Sequence, residues 1–284
     1  MSVILSISAI RDRVWAAGPG GLFLVTDEGL EPVPQPQEQP TSCLALPERI
    51  LVGGAPHGVA YRPWEPSEMP GPEWAEGWQA AWMDQVQEPV LCLAASPDVE
   101  TSGLVLAGTD GGGVLRSTDG GRSWAVSNFG LENLTVLDLA WAPAGAGAWP
   151  GREVAFAATE DGIYRSPGGG RGWKRCLAAR GVILSLAVSP DFHETGLALA
   201  GAEERGLLIS QDFGHSFVPL NQGPRQVNAL VVTPAGWLLS DDEQLWGSGD
   251  GVHWEPIPDS RPALTLAWTE AGLLAGDEEG VWRV

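Results

Sequence analysis

The chain has 284 residues, 44% of them hydrophobic, with 36 Asp and Glu against 16 Lys and Arg, for a formal charge of −20. That surplus of acid argues against a nucleic-acid binder, whose basic side chains must displace counterions from phosphates, and against an anionic membrane surface for the same reason. Three cysteines (Cys43, Cys92, Cys176) are too scattered for a disulfide framework, and the four histidines lack metal-ligand spacing, so neither a metal nor another cofactor is expected.

The first apolar run, VILSISAI at 3–10, has no basic residue before it and meets Arg11 and Asp12 at once. It is a poor secretion signal and too short to span a bilayer, so a cytoplasmic location is expected. It opens a series instead. LSISA from Leu5 is echoed by SCLAL from Ser42, LCLAA from Leu91, LDLAW from Leu137, LSLAV from Leu184, NALVV from Asn228 and LTLAW from Leu264, in steps of 37, 49, 46, 47, 44 and 36 residues. Recurrence at this interval, built only of short apolar segments, is the pattern of propeller blades, each a four-stranded sheet. The expected fold is all-β, a single seven-bladed β-propeller. Its blades fall near 1–34, 41–80, 90–131, 135–180, 182–223, 226–260 and 262–284.

Each repeat continues alike. A second strand ends in small residues (LVLAGT at 104–109, LALAGA at 197–202), an acidic or Gly-rich turn follows, and a third strand reads GVLRS, GIYRS, GLLIS or GVWRV. The first strands carry a column of small side chains, read as Ser6, Cys43, Cys92, Asp138, Ser185, Ala229 and Thr265, where converging sheets leave least room. Residues 62–89 break the repetition. They hold Trp64, Trp74, Trp78 and Trp82, and the segment EWAEGWQAAWMDQV could form a short helix. Two readings stay open for Trp74, Trp78 and Trp82: a partner-binding surface, or a cover for blade 2. The last repeat ends after its third strand, and residues 1–4 are the only candidate for a strand that closes the ring.

The hairpins after the third strands align as STDGGRSW (117–124), SPGGGRGW (166–173), SQDFGHSF (210–217) and SGDGVHW (248–254). This resembles the Asp-box, Ser/Thr-x-Asp-x-Gly-x-x-Trp/Phe, of sialidase-type and other bacterial-neuraminidase-repeat propellers, sortilin-like receptors and photosystem II assembly-factor-like proteins. The matching residues are Ser117, Asp119, Gly121 and Trp124; Ser166 and Trp173; Ser210, Asp212, Gly214 and Phe217; and Ser248, Asp250 and Trp254. The second copy has Gly168 in place of Asp, and the fourth is one residue short. A turn carboxylate that accepts unpaired N–H groups explains the pattern structurally, whereas one Asp per turn is far short of a calcium site.

The resemblance implies that ligands sit over the central channel, on the face opposite these hairpins. On that face the turns between second and third strands are acidic, with Asp161, Glu204, Asp242 and Glu278 among them. They are either solvated turns or a rim that steers a basic partner. Arg180, Arg225 and Arg261 precede inner strands at similar places, a faint parallel to the three arginines of sialidases, though the Arg-Ile-Pro signature is missing. Asp138 is the one ionised residue in the small column and the candidate catalytic residue, with rim carboxylates as candidate partners. Glycoside hydrolysis usually needs two carboxylates. The expected function is therefore a non-enzymatic binding or scaffolding module for a protein or small ligand. A sialidase-like glycoside hydrolase or lyase is the alternative, distinguished by whether Asp138 meets a second carboxylate or is capped by backbone donors.

Overall fold

The computed structural model describes residues 2–55, 58–65, 68, 70–83, 87–143, 153–178, 181–270 and 272–284. Seven sheets follow one another along the chain, each built of consecutive antiparallel strands save for one added strand in blade 3, and the protein is a seven-bladed β-propeller. The inner strands are Ser6–Ile10, Gln39–Leu46, Val90–Ala95, Val136–Trp141, Ile183–Val188, Ala229–Thr233 and Thr265–Thr269. Five blades have four strands. Blade 3 gains a fifth, Trp82–Met83, which runs parallel to its outer strand Ser123–Val126. Blade 7 has three: Thr265–Thr269, Gly272–Gly276 and Val281–Arg283.

Neighbouring strands alternate in direction, and this fixes the two faces. The starts of the inner strands and the turns between second and third strands share one face, called here the channel face. The Ser–Asp hairpins lie on the other. The loops SPDVETSG and SPDFHETG, also on the hairpin face, each hold one helical turn, Val99–Ser102 and Phe192–Thr195.

The inner strands are not regular. The register slips by one residue between Pro40 and Ser42, Val90 and Cys92, Val136 and Asp138, and Ile183 and Ser185. Each slip is a bulge that turns its extra residue out of the ladder. The slip at Thr41 corrects the small column. Ser42 pairs with Gly53 as Cys92 pairs with Gly108, so the member from blade 2 is Ser42. Cys43 lies one residue further, buried against blade 1, where its N–H donates to Ser6 Oγ at 3.2 Å.

One kind of joint recurs at three of the interfaces between successive blades. Two residues before the small column, an aliphatic side chain rests on a glycine of the preceding blade: Val90 on Gly53, Val136 on Gly108, Val227 on Gly201. A Cβ on any of these glycines would lie within 2.5–2.7 Å of the valine methyl, so no larger residue fits. Ring closure repeats the joint. Ile4 is fully buried and rests on Gly276 of blade 7 in the same way. Its N–H donates to Asp277 O at 2.8 Å, matching Val227 N–H to Ala202 O at 3.1 Å. The N-terminus thus closes the ring with Ile4 and with the packing of Phe23, Val25 and Leu30 of blade 1 around Val281 of blade 7, not with the borrowed strand expected from sequence. Edges need pairing within a sheet, but the interface between sheets is made largely by side chains.

The segment 62–89 divides. Trp64 and Trp74 are buried beside Trp15, stacked at 5.5 Å for Trp74 and edge-on at 6.4 Å for Trp64. Arg62 lies over Trp74 at 4.2 Å. Trp78 is half-buried against the same cluster and donates to Pro34 O at 2.8 Å. Trp74 is therefore part of the cover of blades 1 and 2 and offers no surface to a partner. Trp82, 63% exposed, remains on the outside. A single helix does not form. Pro72–Ala75 is one 3-10 turn, and Gly77, at φ +84°, redirects the chain into short strands.

Candidate functional site

Asp119 accepts the N–H groups of Arg122 and Ser123, both at 3.0 Å, and the hydroxyls of Ser117 at 2.8 Å and Ser123 at 2.6 Å. Ser117 Oγ accepts the Gly121 N–H at 2.8 Å, and Trp124 Nε1–H closes the turn onto Gly121 O at 3.0 Å. Gly121 sits at φ +86°, where a Cβ would strike Leu51. Burial works to raise the Asp119 pKa, but the Ser123 hydroxyl and N–H outweigh it and hold it below the carboxylate range.

Asp212 repeats the arrangement with Ser210, Ser216 and the Gly214 turn. Burial is again outweighed, by Ser216, and its pKa is held at about 2. Asp250 accepts the N–H groups of Val252 and His253 at 2.8 Å and faces His253 Nδ1 at 2.7 Å, with Ser248 and Trp254 completing the turn. In blade 4, Ser166 still accepts the Gly170 N–H at 3.0 Å, and Trp173 donates to Ser127 O at 2.8 Å. Every carboxylate oxygen is spent on its own turn.

The central channel opens on the other face and encloses about 250 Å³. Asp138 is half-buried in its wall. Oδ1 accepts the Leu139 N–H at 2.8 Å and Oδ2 the Leu186 N–H at 2.7 Å. Burial raises its pKa to about 7 against the pull of those two bonds. Among the described residues no second carboxylate lines the channel. Asp138 is thus capped by backbone donors without an acidic neighbour, and the two-carboxylate chemistry of the hydrolase alternative is not assembled here.

Sequence reading missed the feature that dominates the channel mouth. The residue just before the small column is Leu5, Thr41, Leu91, Leu137, Leu184, Asn228 and Leu264 in blades 1 to 7, five leucines in seven places. All five line the channel, and Leu5 and Leu264 are each 40% exposed. In blades 3, 4 and 5 this leucine is the bulged residue itself. The signal was in plain view as the first letter of each LxLA repeat. It reads as ordinary core until bulges turn it toward the axis.

Around this collar stand the acidic turns. Glu204, Asp242 and Glu278 are exposed, as are Asp110, Glu160, Glu203, Glu243 and Glu279. Asp242 accepts Asn228 Nδ2 at 2.8 Å and Gln226 Nε2 at 3.0 Å. Others serve the fold. Asp241 accepts the N–H groups of Glu243 and Gln244 and the indole of Trp246, and Asp277 accepts those of Glu279 and Gly280. Asp161 is paired with Arg175, which also meets Glu132 at 3.3 Å and lies over the buried Tyr164.

Among the described residues Arg225 and Arg261 are not gathered into an anion site. Arg261 pairs with Asp277 at 3.5 Å and Glu279 at 3.3 Å and covers Trp282 at 3.9 Å, so its charge is already met. Arg225 is exposed with no ion pair among the described residues, and Arg180 lies outside them. A cleft of about 430 Å³ on the hairpin face lies between blades 2 and 3, but its Arg49 is committed to Asp119 O at 2.9 Å and Gly120 O at 3.1 Å. Among the described residues no group of three potential metal ligands gathers, and no helix is long and apolar enough to cross a membrane.

No protein-family model matches the chain, and no curated protein matches it. Solved structures do. The WD40 propeller domain of Doa1 is 16% identical, with 99% of this chain and 91% of that one covered, at a TM-score of 0.68. The extracellular domain of BT4673 from B. thetaiotaomicron is 13% identical over 99% of this chain and 38% of that one, at 0.69. An ancestral GH74 enzyme is 21% identical over 64% of this chain and 26% of that one, at 0.52. The likeness is one of fold. Propellers of this shape carry unrelated functions, so the site must speak for itself.

Proposed function

We propose that the protein is a non-enzymatic docking module that receives a basic partner on its channel face. The observation that carries this reading is the apolar collar at the axis enclosed by exposed carboxylates, on a chain of net charge −20. Field lines from such a rim raise the encounter rate of a cationic partner, and the collar supplies surface to hold it. The hairpin geometry, with Ser, Asp and aromatic in fixed roles, supports placing the chain with Asp-box propellers. The capped, solitary Asp138 argues against the hydrolase alternative.

The test is kinetic. A fluorescent peptide of alternating Lys and Leu should associate more slowly as salt rises, and reversing Glu203, Glu204 and Glu243 to Lys should remove the salt dependence. An association rate indifferent to salt in the unaltered protein would refute steering.

A further inference from the structure

We propose that the channel seats one cationic side chain of the partner, a lysine or arginine, with its aliphatic stem against the leucine collar and its charged head at Asp138; this rests on reading the channel face as the docking surface. The argument starts from complementarity. Asp138 is the only charged side chain that lines the channel among the described residues, and its surroundings are Leu137, Leu139, Leu186, Cys92 and Ser185. A carboxylate offers about four acceptor positions, and two are filled here, by the Leu139 and Leu186 N–H groups. The remainder face a space lined by the leucine side chains together with Ser6, Ser42, Ser185, Asn228 and Thr265.

An apolar guest would leave this carboxylate without a partner, and an anionic guest would be repelled by it and by the rim. A cation on a long methylene stem satisfies both demands, because Lys and Arg bury their stems along apolar surface while placing the charge elsewhere. The approach is graded in the same sense, with the exposed carboxylates of blades 3 to 7 outside and Asp138 within. None of the chain's own described arginines reaches the channel lining. Cys92, on the adjacent inner strand, is pushed up by burial and by Asp138, so it stays a neutral thiol beside the guest.

The probes are two blocked peptides, Ac-Gly-Gly-Lys-Gly-Gly-amide and the same peptide with norleucine for lysine, which keeps the stem and removes the only charge. With leucine methyls labelled for NMR, the lysine peptide should shift the signals of Leu91, Leu137 and Leu184. Its affinity should exceed that of the norleucine peptide at least tenfold, and Asp138→Asn should erase the difference. The lysine peptide should also bind more tightly as pH rises from 5 to 8, with a midpoint near 7. No other charged group faces Asp138 from the flanking inner strands, where Cys92 and Ser185 stand. This arm needs no variant and decides the matter if Asp138→Asn fails to fold. Equal binding of the two peptides, or a pH-independent affinity, overturns the channel seat. If the peptide of alternating Lys and Leu still binds with salt dependence, the docking surface stands without the seat. If that peptide does not bind either, both readings fail together.

Discussion

Blade 4 carries the hairpin without a carboxylate, and Gly168→Asp should stabilise the protein. Gly168 occupies the place of Asp119 and Asp212, its φ is not positive, and a Cβ there meets no heavy atom within 4 Å. The receiving groups are present: Ser166 Oγ already accepts the Gly170 N–H, and the N–H groups of Arg171 and Gly172 correspond to those of Arg122 and Ser123. The fourth partner of Asp119, the Ser123 hydroxyl, has no counterpart at Gly172. Three charge-assisted bonds on an exposed turn contribute about 1–2 kcal/mol net once their competition with water is counted. Replacing glycine adds ~0.5 kcal/mol by restricting the unfolded chain. With an unfolding entropy of about 2.1 cal/mol/K per residue over 284 residues, 2 kcal/mol raises Tm by roughly 3 °C. Differential scanning calorimetry with calcium and with chelator should give the same rise. Asp119→Ala should lower Tm by a similar amount under both conditions. A gain that appears only with calcium, or a loss of stability on Gly168→Asp, would refute the account of these carboxylates as turn caps.

The remaining predictions concern the axis, the seam and the tryptophans. Asp138 has a folded pKa raised to about 7, so it costs stability progressively as pH climbs from about 4 to 7 and adds no further slope above that. The stability of Asp138→Asn relative to the unaltered protein, from urea midpoints, should therefore grow across that window by ~4 kcal/mol at most, less to the extent that channel water screens the charge; a constant difference from pH 4 to 8 would show that Asp138 is not desolvated. Ile4→Ala and Val227→Ala fill equivalent joints and should each cost about 2–4 kcal/mol in chemical denaturation, and a neutral Ile4→Ala would mean that the ring does not close there. Trp74→Ala should cost ~3–5 kcal/mol, whereas Trp82→Ser should change stability by less than about 0.5 kcal/mol, both read by thermal melting; the reverse order would contradict the burial of Trp74.

The blade count was legible because the same packing problem is solved seven times, and each solution needs a small residue flanked by large ones at the axis. The hairpins were legible because a turn carboxylate, a positive-φ glycine and an aromatic lid act locally. What local reasoning could not supply was register. In blade 2 small residues stand at both Ser42 and Cys43, so the letters favour Cys43 for the column, and only the pairing with Gly53 assigns it to Ser42. The leucine collar escaped for the same reason, since a leucine before a small residue looks like core until a slip in the ladder turns it inward. The tryptophan-rich segment could be flagged, but sorting buried Trp74 from exposed Trp82 depends on Trp15, some sixty residues away. The Arg261 pairs depend likewise on the spatial neighbour, not the sequential one.

The seating of Ile4 on Gly276 has a consequence for how the molecule comes apart. An open array of repeats loses its terminal units first, because each end has one neighbour instead of two. Here the first and last blades are neighbours through a contact of the same kind as three of those inside the chain, so neither is an end in the mechanical sense. Unfolding must break two joints before any blade is released. A single damaged joint, wherever it falls, turns the circle into an array with free ends, and the first few residues of the chain then decide whether the whole behaves as one cooperative unit.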